Sequence, residues 1–299
     1  PFEPALTYKF QAEFGKGEVY LKDFYLDYAF APEFHLRAGQ WKRPFSRQHI
    51  TSSGNLQLVD RSFLDKLFAA GRDIGFGFHN GYEKSPVFEW ALAIFNGTGE
   101  KPGYSAKVTQ DEATKDVGKI DIKQTNVPRD FHPMAVLRAG YNYGGIKGYS
   151  EADFEGGDLR FSIGAGLLAD FDGDNDNKSF VQPQIDFIAK INGLSLTGGA
   201  YLSTAQDGPK WADQKYAAFG VFCQGGYLFS KKYEFALRYS LYDPDGPSNE
   251  THEAAAGISL YFHKHNLKWQ TDAIILRTRD PLEGTSDNIV ARSQIQLSF

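Results

Sequence analysis

The strongest constraint on this chain is an apolar–polar alternation with a period of two, repeated in segments of roughly ten residues. The end of the chain shows it most plainly. Ile289, Ala291, Ser293, Ile295, Leu297 and Phe299 fall on one face and Asn288, Arg292, Gln294, Gln296 and Ser298 on the other, with Val290 the exception. Such a segment belongs between an apolar surface and a wet one. A tilted strand needs about 9–11 residues to cross a bilayer, so these segments are long enough to span one.

The pattern recurs over residues 5–14, 19–30, 34–43, 72–80, 87–96, 134–144, 158–170, 180–191, 194–203, 215–229, 233–242, 252–262, 267–278 and 288–299, which makes fourteen strands. Short connections such as Asn192-Gly193 and 230–232 alternate with longer ones such as 171–179 and 204–214. Short turns on one rim and long loops on the other are the layout of a bacterial membrane barrel, and an even strand count places both termini on the short-turn, periplasmic rim. Segment 145–157 is too long for that rim. The expected fold is therefore an all-β, transmembrane antiparallel β-barrel forming one domain, 1–299, in the outer membrane. A soluble sandwich would also alternate, but in strands of about five or six residues.

Composition agrees where it bears on this choice. Mean hydropathy is −0.42 and no apolar run could form a membrane helix, yet a barrel exposes only alternate residues to lipid. Aromatic residues make up 15% of the chain. Those near strand ends (Tyr8, Phe30, Trp41, Tyr143, Tyr227, Phe229, Trp269 and Phe299) suit two interfacial girdles. A net charge of −5 argues against binding nucleic acid, and a single cysteine excludes a disulfide scaffold. Cys223 shares a face with Phe219, Val221 and Tyr227 and is expected to point to lipid. The chain begins at Pro1 without a secretion signal, which an outer-membrane protein needs; that signal is expected to be removed or to lie outside this sequence.

Two connections stand out. Segment 44–71 is long enough to be functional and contains a short helix expected over 62–68, with Ser62 as N-cap and Asp65 as its capping acid. Around it lie Arg37, Lys42, Arg43, Arg47, Arg61, Lys66 and Arg72, opposed only by Asp60 and Asp65. At a constriction these cations would concentrate anions; alternatively, the acids pair with them and only fix the loop to the wall. Segment 97–133 reads as a second long, solvated loop with balanced charges.

Other constellations read as structural. Asp170, Asp172, Asp174 and Asp176 alternate in an oxygen-rich run, a weak calcium candidate without the closing Glu of an EF-hand. His263-Lys-His265 reads as a wet turn, and Gly148-Tyr-Ser-Glu-Ala152 lacks the last Gly of a nucleophile elbow. His49 with Ser46 or Ser52 is the candidate for a competing hydrolase reading. No catalysis and no cofactor are expected.

Residues 34–75 carry a family likeness: Pro32-Glu-Phe34, Gly39-Gln-x-Lys42-x-Pro-Phe45, Thr51-Ser-Ser53, Arg61 and Gly71-Arg-Asp-Ile-Gly75, followed by Asn96-Gly-x-Gly99. This resembles the phosphate-selective porin O and P family over about a quarter of the chain. The resemblance implies a sixteen-stranded, usually trimeric porin with loop 44–71 folded inward, passing small hydrophilic solutes with a preference for anions. Either this chain forms a fourteen-stranded barrel or a hairpin precedes residue 5. The family's selectivity implies a basic ladder in the lumen, but here the lumen set is mixed: Arg138, Arg160, Arg238 and Arg292, with Arg37, Lys190 and Lys268, face Asp23, Asp27 and Glu89, with Glu13, Asp186, Glu234 and Asp272. The closing strand is similar to that of bacterial outer-membrane barrels, which implies recognition of Phe299 by the assembly machinery. Expected partners are thus outer-membrane lipid, permeating solutes, that machinery and further copies of the chain in a homotrimer; a plugged barrel that holds another protein is the remaining alternative.

Overall fold

The computed structural model describes residues 5–15, 18–68, 71–97, 104–110, 117–124, 133–171, 180–205, 217–244, 250–280 and 284–298. Fourteen strands form a single antiparallel sheet: β1 (Leu6–Gly15), β2 (Glu18–Ala31), β3 (Phe34–Lys42), β4 (Arg72–His79), β5 (Phe88–Phe95), β8 (Met134–Tyr143), β9 (Arg160–Asp170), β10 (Phe180–Ile191), β11 (Leu194–Ala205), β12 (Ala217–Phe229), β13 (Tyr233–Pro244), β14 (Glu250–His263), β15 (Leu267–Asp280) and β16 (Gly284–Leu297). Each wall strand pairs with the next wall strand in the chain, β5 pairing with β8, so the sheet is a meander; β1 and β16 are its two ends. Between β5 and β8, where a plain loop was expected, β6 (Tyr104–Gln110) and β7 (Val117–Gln124) pair as a separate hairpin. The tight β10–β11 connection uses Asn192 and Gly193, both left-handed at φ 49° and 87°, the backbone twist that a two-residue hairpin demands.

The two faces of the sheet reverse the usual rule of burial. Phe10, Phe24, Leu26, Ile163, Leu237, Ile258 and Ile295 are exposed outward, while Ser195, Gln224, Arg238, Ser240, Lys268 and Gln270 are buried inward. A soluble protein does not fold this way, but a barrel wall between lipid and a polar lumen does. One continuous sheet also removes the two-layer sandwich. No helix is long and apolar enough to cross a membrane. Cys223 is exposed on the outer face, as expected. Trp41 departs from the expected girdle. It lies two pleats from Arg37 on the same strand, so parity turns it inward, where it is 1% exposed and packs on Phe95 with ring centroids 5.0 Å apart.

Two segments enter the lumen from opposite rims. Residues 43–68 enter from the rim away from the termini, carrying α1 (Arg47–Ile50) and α2 (Leu64–Leu67). Residues 144–159 enter from the terminal rim, with Ile146, Ala152 and Phe154 buried. This explains why that connection is too long for a turn.

Candidate pore and its constriction

The path of loop 43–71 follows from its backbone. Ser46 caps α1, its hydroxyl accepting from His49 N–H at 3.2 Å. The second helix is shorter than the expected 62–68. Ser62 accepts from Leu64 N–H at 3.2 Å and its hydroxyl donates to Ser240, while Asp65 turns away to His49, 3.3 Å, instead of closing a capping box. Burial raises the Asp65 carboxyl, but His49 and Arg61 outweigh it and hold it below the usual carboxylate value.

The loop is sewn to the wall of β8–β16. Phe45 carbonyl accepts from Arg138 and Gln184 at 3.0 and 2.8 Å. Leu56 carbonyl accepts from Lys268 at 2.9 Å, Val59 N–H donates to Asp272 at 2.9 Å, and Arg238 donates to the carbonyls of Asp60 and Arg61 at 2.9 and 3.1 Å. Glycines on the inner wall make room for it. A methyl group at Gly220 would lie 2.5 Å from the Phe68 ring, and one at Gly257 2.6 Å from Leu58.

Where the two lumen segments meet, Glu151 N–H donates to Asn55 carbonyl at 3.0 Å, and the Glu151 carboxylate accepts from Gln57 N–H at 2.9 Å and from Gln224 at 2.8 Å. Asn55 returns a bond to Tyr149 carbonyl at 3.2 Å. The β8–β16 side of the lumen is therefore occupied by protein, and open space remains along β1–β3.

That space has two parts. One cavity of about 650 Å³ lies between the β1–β3 wall and the loop, lined by Lys9, Lys22, Arg37, Lys42, Arg61 and Arg72 against Glu13, Asp23 and Glu83. A second, of about 520 Å³, lies toward the terminal rim and includes Asp27, His35, His79, Glu83 and Lys84. Tyr25, Arg37 and Glu83 line both.

The seven cations singled out around loop 44–71 divide. Arg37, Lys42, Arg61 and Arg72 line the first cavity. Arg72 pairs with Asp23 at 2.7 Å. Lys42 and Arg61 instead bond to backbone: Lys42 Nζ to the carbonyls of His49, Ile50 and Thr51 at 2.7, 3.2 and 3.2 Å, and Arg61 to those of Gln48 and Thr51 at 2.8 and 2.6 Å. Arg61 also stands 3.9 Å from Asp65. Arg43 is buried against Asp73, and Arg47 against Asp186 at 3.0 Å; both lie beneath the loop, away from the passage. Lys66 is exposed and lines neither cavity.

The wall residues also lie inward, mostly as ion pairs under the loop. Arg138 holds Glu89 and Asp186 at 2.9 and 2.8 Å, Arg238 holds Glu253 at 2.6 Å, Arg160 holds Asp153 at 2.6 Å, and Arg292 holds Asp272 at 2.9 Å. Asp23 and Asp27 face the passage itself. Of the oxygen-rich run, Asp172, Asp174 and Asp176 lie outside the described residues, and Asp170 ends β9.

Sequence reading missed three features. Asp27, His35 and His79 converge, with Asp27 accepting from His35 at 2.9 Å and His79 at 2.8 Å. The grouping resembles a metal triad, but Gly81 N–H donates to His79 Nδ1 at 2.9 Å, which leaves the ring proton on Nε2, aimed at Asp27, and Arg37 takes the same carboxylate at 2.8 Å. In this arrangement the three groups are joined by hydrogen bonds to Asp27, which also holds Arg37. His265 is buried and not wet. It packs edge-on to Phe154 and stands 3.1 Å from Ser150, with Lys268 3.4 Å from its Nδ1. That tautomer donates to Ser150 and does not act as its base. The His49 ring likewise faces Asp65 and Gly71 carbonyl at 3.3 and 2.9 Å. The third feature is Glu83, on a turn whose sequence looks merely polar.

Residues 4–143 match the family described as phosphate-selective porin O and P. An uncharacterized protein of Aquifex aeolicus (strain VF5) is 23% identical over 303 residues, covering 93% of this chain and 68% of that one. Three solved structures share the fold. The outer-membrane channel DcaP of Acinetobacter baumannii has a TM-score of 0.59 at 11% identity, covering 97% of this chain and 80% of that one. The anion-selective porin of Comamonas acidovorans has 0.54 at 12%, covering 98% and 81%. OmpT of Vibrio cholerae, an outer-membrane protein, has 0.51 at 12%, covering 100% and 83%. The chain thus has the outer-membrane β-barrel fold, and its residues 4–143, from β1 to the end of β8, match phosphate-selective porin O and P.

Proposed function

We propose that this barrel is a passive pore for small hydrophilic solutes, favouring anions, with its water path along the β1–β3 wall and not through the centre. One observation carries the reading: six cations face three carboxylates around the larger cavity, and two of the six, Lys42 and Arg61, are bonded chiefly to carbonyl oxygens. A carbonyl satisfies a donor without cancelling its charge, so a positive field persists in a passage with low-dielectric walls, where it acts most strongly on a permeating ion. Arg43 and Arg47, each matched to a buried carboxylate, fix the loop instead.

Nothing in this path needs a covalent step; solutes pass by field and by exchange of hydrogen bonds. The docking of Glu151 on loop residues 55 and 57 favours one competing reading, a plugged barrel that holds a partner. Planar-bilayer recording of the purified protein separates the two. Stepwise openings with a chloride-directed reversal potential in a KCl gradient are expected. A quiet bilayer would leave the plugged reading, and a potassium-directed potential would end the anion preference. Assembly into trimers belongs to the same proposal and is checked by native mass spectrometry in detergent.

A further inference from the structure

The geometry points to a clasp between Arg37 and Glu83 as the narrow neck that joins the two lumen cavities, which makes Glu83 a selectivity-determining residue. The inference rests on the pore reading above. Both residues, with Tyr25, line both cavities, so an ion that moves along the β1–β3 wall from one to the other passes this trio. The clasp is a two-pronged pair: Nη1 to Oε1 at 3.1 Å and Nη2 to Oε2 at 3.4 Å. Arg37 is fixed independently of Glu83. Its Nε holds Asp27 at 2.8 Å, and its guanidinium lies over the Tyr25 ring at 4.4 Å and near the Trp41 ring at 5.1 Å. Glu83 is fixed by its turn, between left-handed Gly81 (φ 71°) and Ser85 (φ 57°). The turn is anchored by Tyr82, 1% exposed and edge-on to Tyr149, and by Ser85, which accepts from Gly148 N–H at 3.0 Å. The carboxylate therefore cannot follow its turn away from the neck, yet its own side chain stays 45% accessible, facing water.

A fixed arginine faced by a fixed, wet carboxylate sets charge preference in two ways. The carboxylate cancels part of the positive field, and the pair narrows the passage. Replacing it with the amide keeps the shape and removes the charge. Glu83→Gln should raise single-channel conductance and shift the KCl reversal potential further toward chloride. In a Cys223→Ser background, Glu83→Cys labelled with a bulky methanethiosulfonate should reduce conductance, whether the reagent is cationic or anionic, with labelling verified by mass. Retained heat-modifiable migration on gels shows that each variant folds. Wild-type steps with unchanged Glu83→Gln selectivity, and labelled Glu83→Cys channels of unaltered conductance, would overturn the clasp alone. An absence of wild-type steps would sink the pore reading and the clasp with it.

Discussion

Lys42 and Arg61 donate to the same carbonyl, that of Thr51, at 3.2 and 2.6 Å. Two like charges thus share one acceptor at the edge of the passage, one anchored on β3 and the other on the inward loop. The loop's backbone dipoles, with Asp65 3.9 Å from Arg61, keep them together, and the arrangement retains a net positive field.

Removing either charge should lower anion preference. Lys42→Gln or Arg61→Gln is expected to move the reversal potential toward zero, and the double variant further still. Each also leaves buried carbonyls short of a donor, at a cost of about 1–3 kcal/mol, which a thermal melt in detergent will read.

The joint at Glu151 predicts a change in pore size. Glu151→Ala deprives Gln57 N–H of its acceptor and the Gln224 amide of one of its two. Undocking of the 144–159 segment should raise conductance, with a loss of about 1–3 kcal/mol in stability. Unchanged conductance at lowered stability would mean that the segment stays in place without its acid.

Arg138 is wholly buried between Glu89 and Asp186 and also supports the carbonyl of Phe45. Arg138→Met takes an arginine from both carboxylates, leaving Asp186 to Arg47 and Glu89 chiefly to Tyr149 and Asn142, and should cost about 3 kcal/mol, the lower end for breaking a buried pair. The heat-modifiable gel transition should fall accordingly. Gly257→Ala tests the loop bed from the other side: a methyl 2.6 Å from Leu58 should cost about 1–3 kcal/mol through overpacking.

Acid should leave the neck intact until well below neutrality. Burial pushes the Glu83 carboxyl up, but Arg37, with smaller help from His79 and Lys9, outweighs it and holds the group below its ordinary 4.5. A depressed carboxyl contributes fully above its ordinary value and loses that contribution as pH falls through the depressed one. Titration of Glu83 itself should therefore leave selectivity unchanged from pH 7 to about 5 and make it more anionic only in stronger acid. A change between pH 7 and about 5 would assign the titration to a group other than Glu83.

All fourteen wall strands were legible in the sequence because pleat parity is local: β10 (Phe180–Ile191) has the bounds that alternation alone assigns it. Trp41 shows the limit of that signal, since its residue type suggested lipid while its parity with Arg37 sent it inward. The hairpin of β6 and β7 escaped because it sits among balanced charges. The passage was less legible still. Whether a lumen arginine is matched by a carboxylate or by a carbonyl depends on residues from other segments of the chain, 139 positions away for Arg47 and Asp186. No periodicity records such pairings. Glu83 shows nothing in sequence beyond a polar turn, and its role arises only from what Tyr82 anchors.

Glu151 and Asn55 reach each other from opposite mouths of the barrel, so the molecule carries a tie rod along its own axis. Tension on either end is passed to the other through that joint. Under mechanical pulling, the two rims should yield in one event rather than peel away strand by strand.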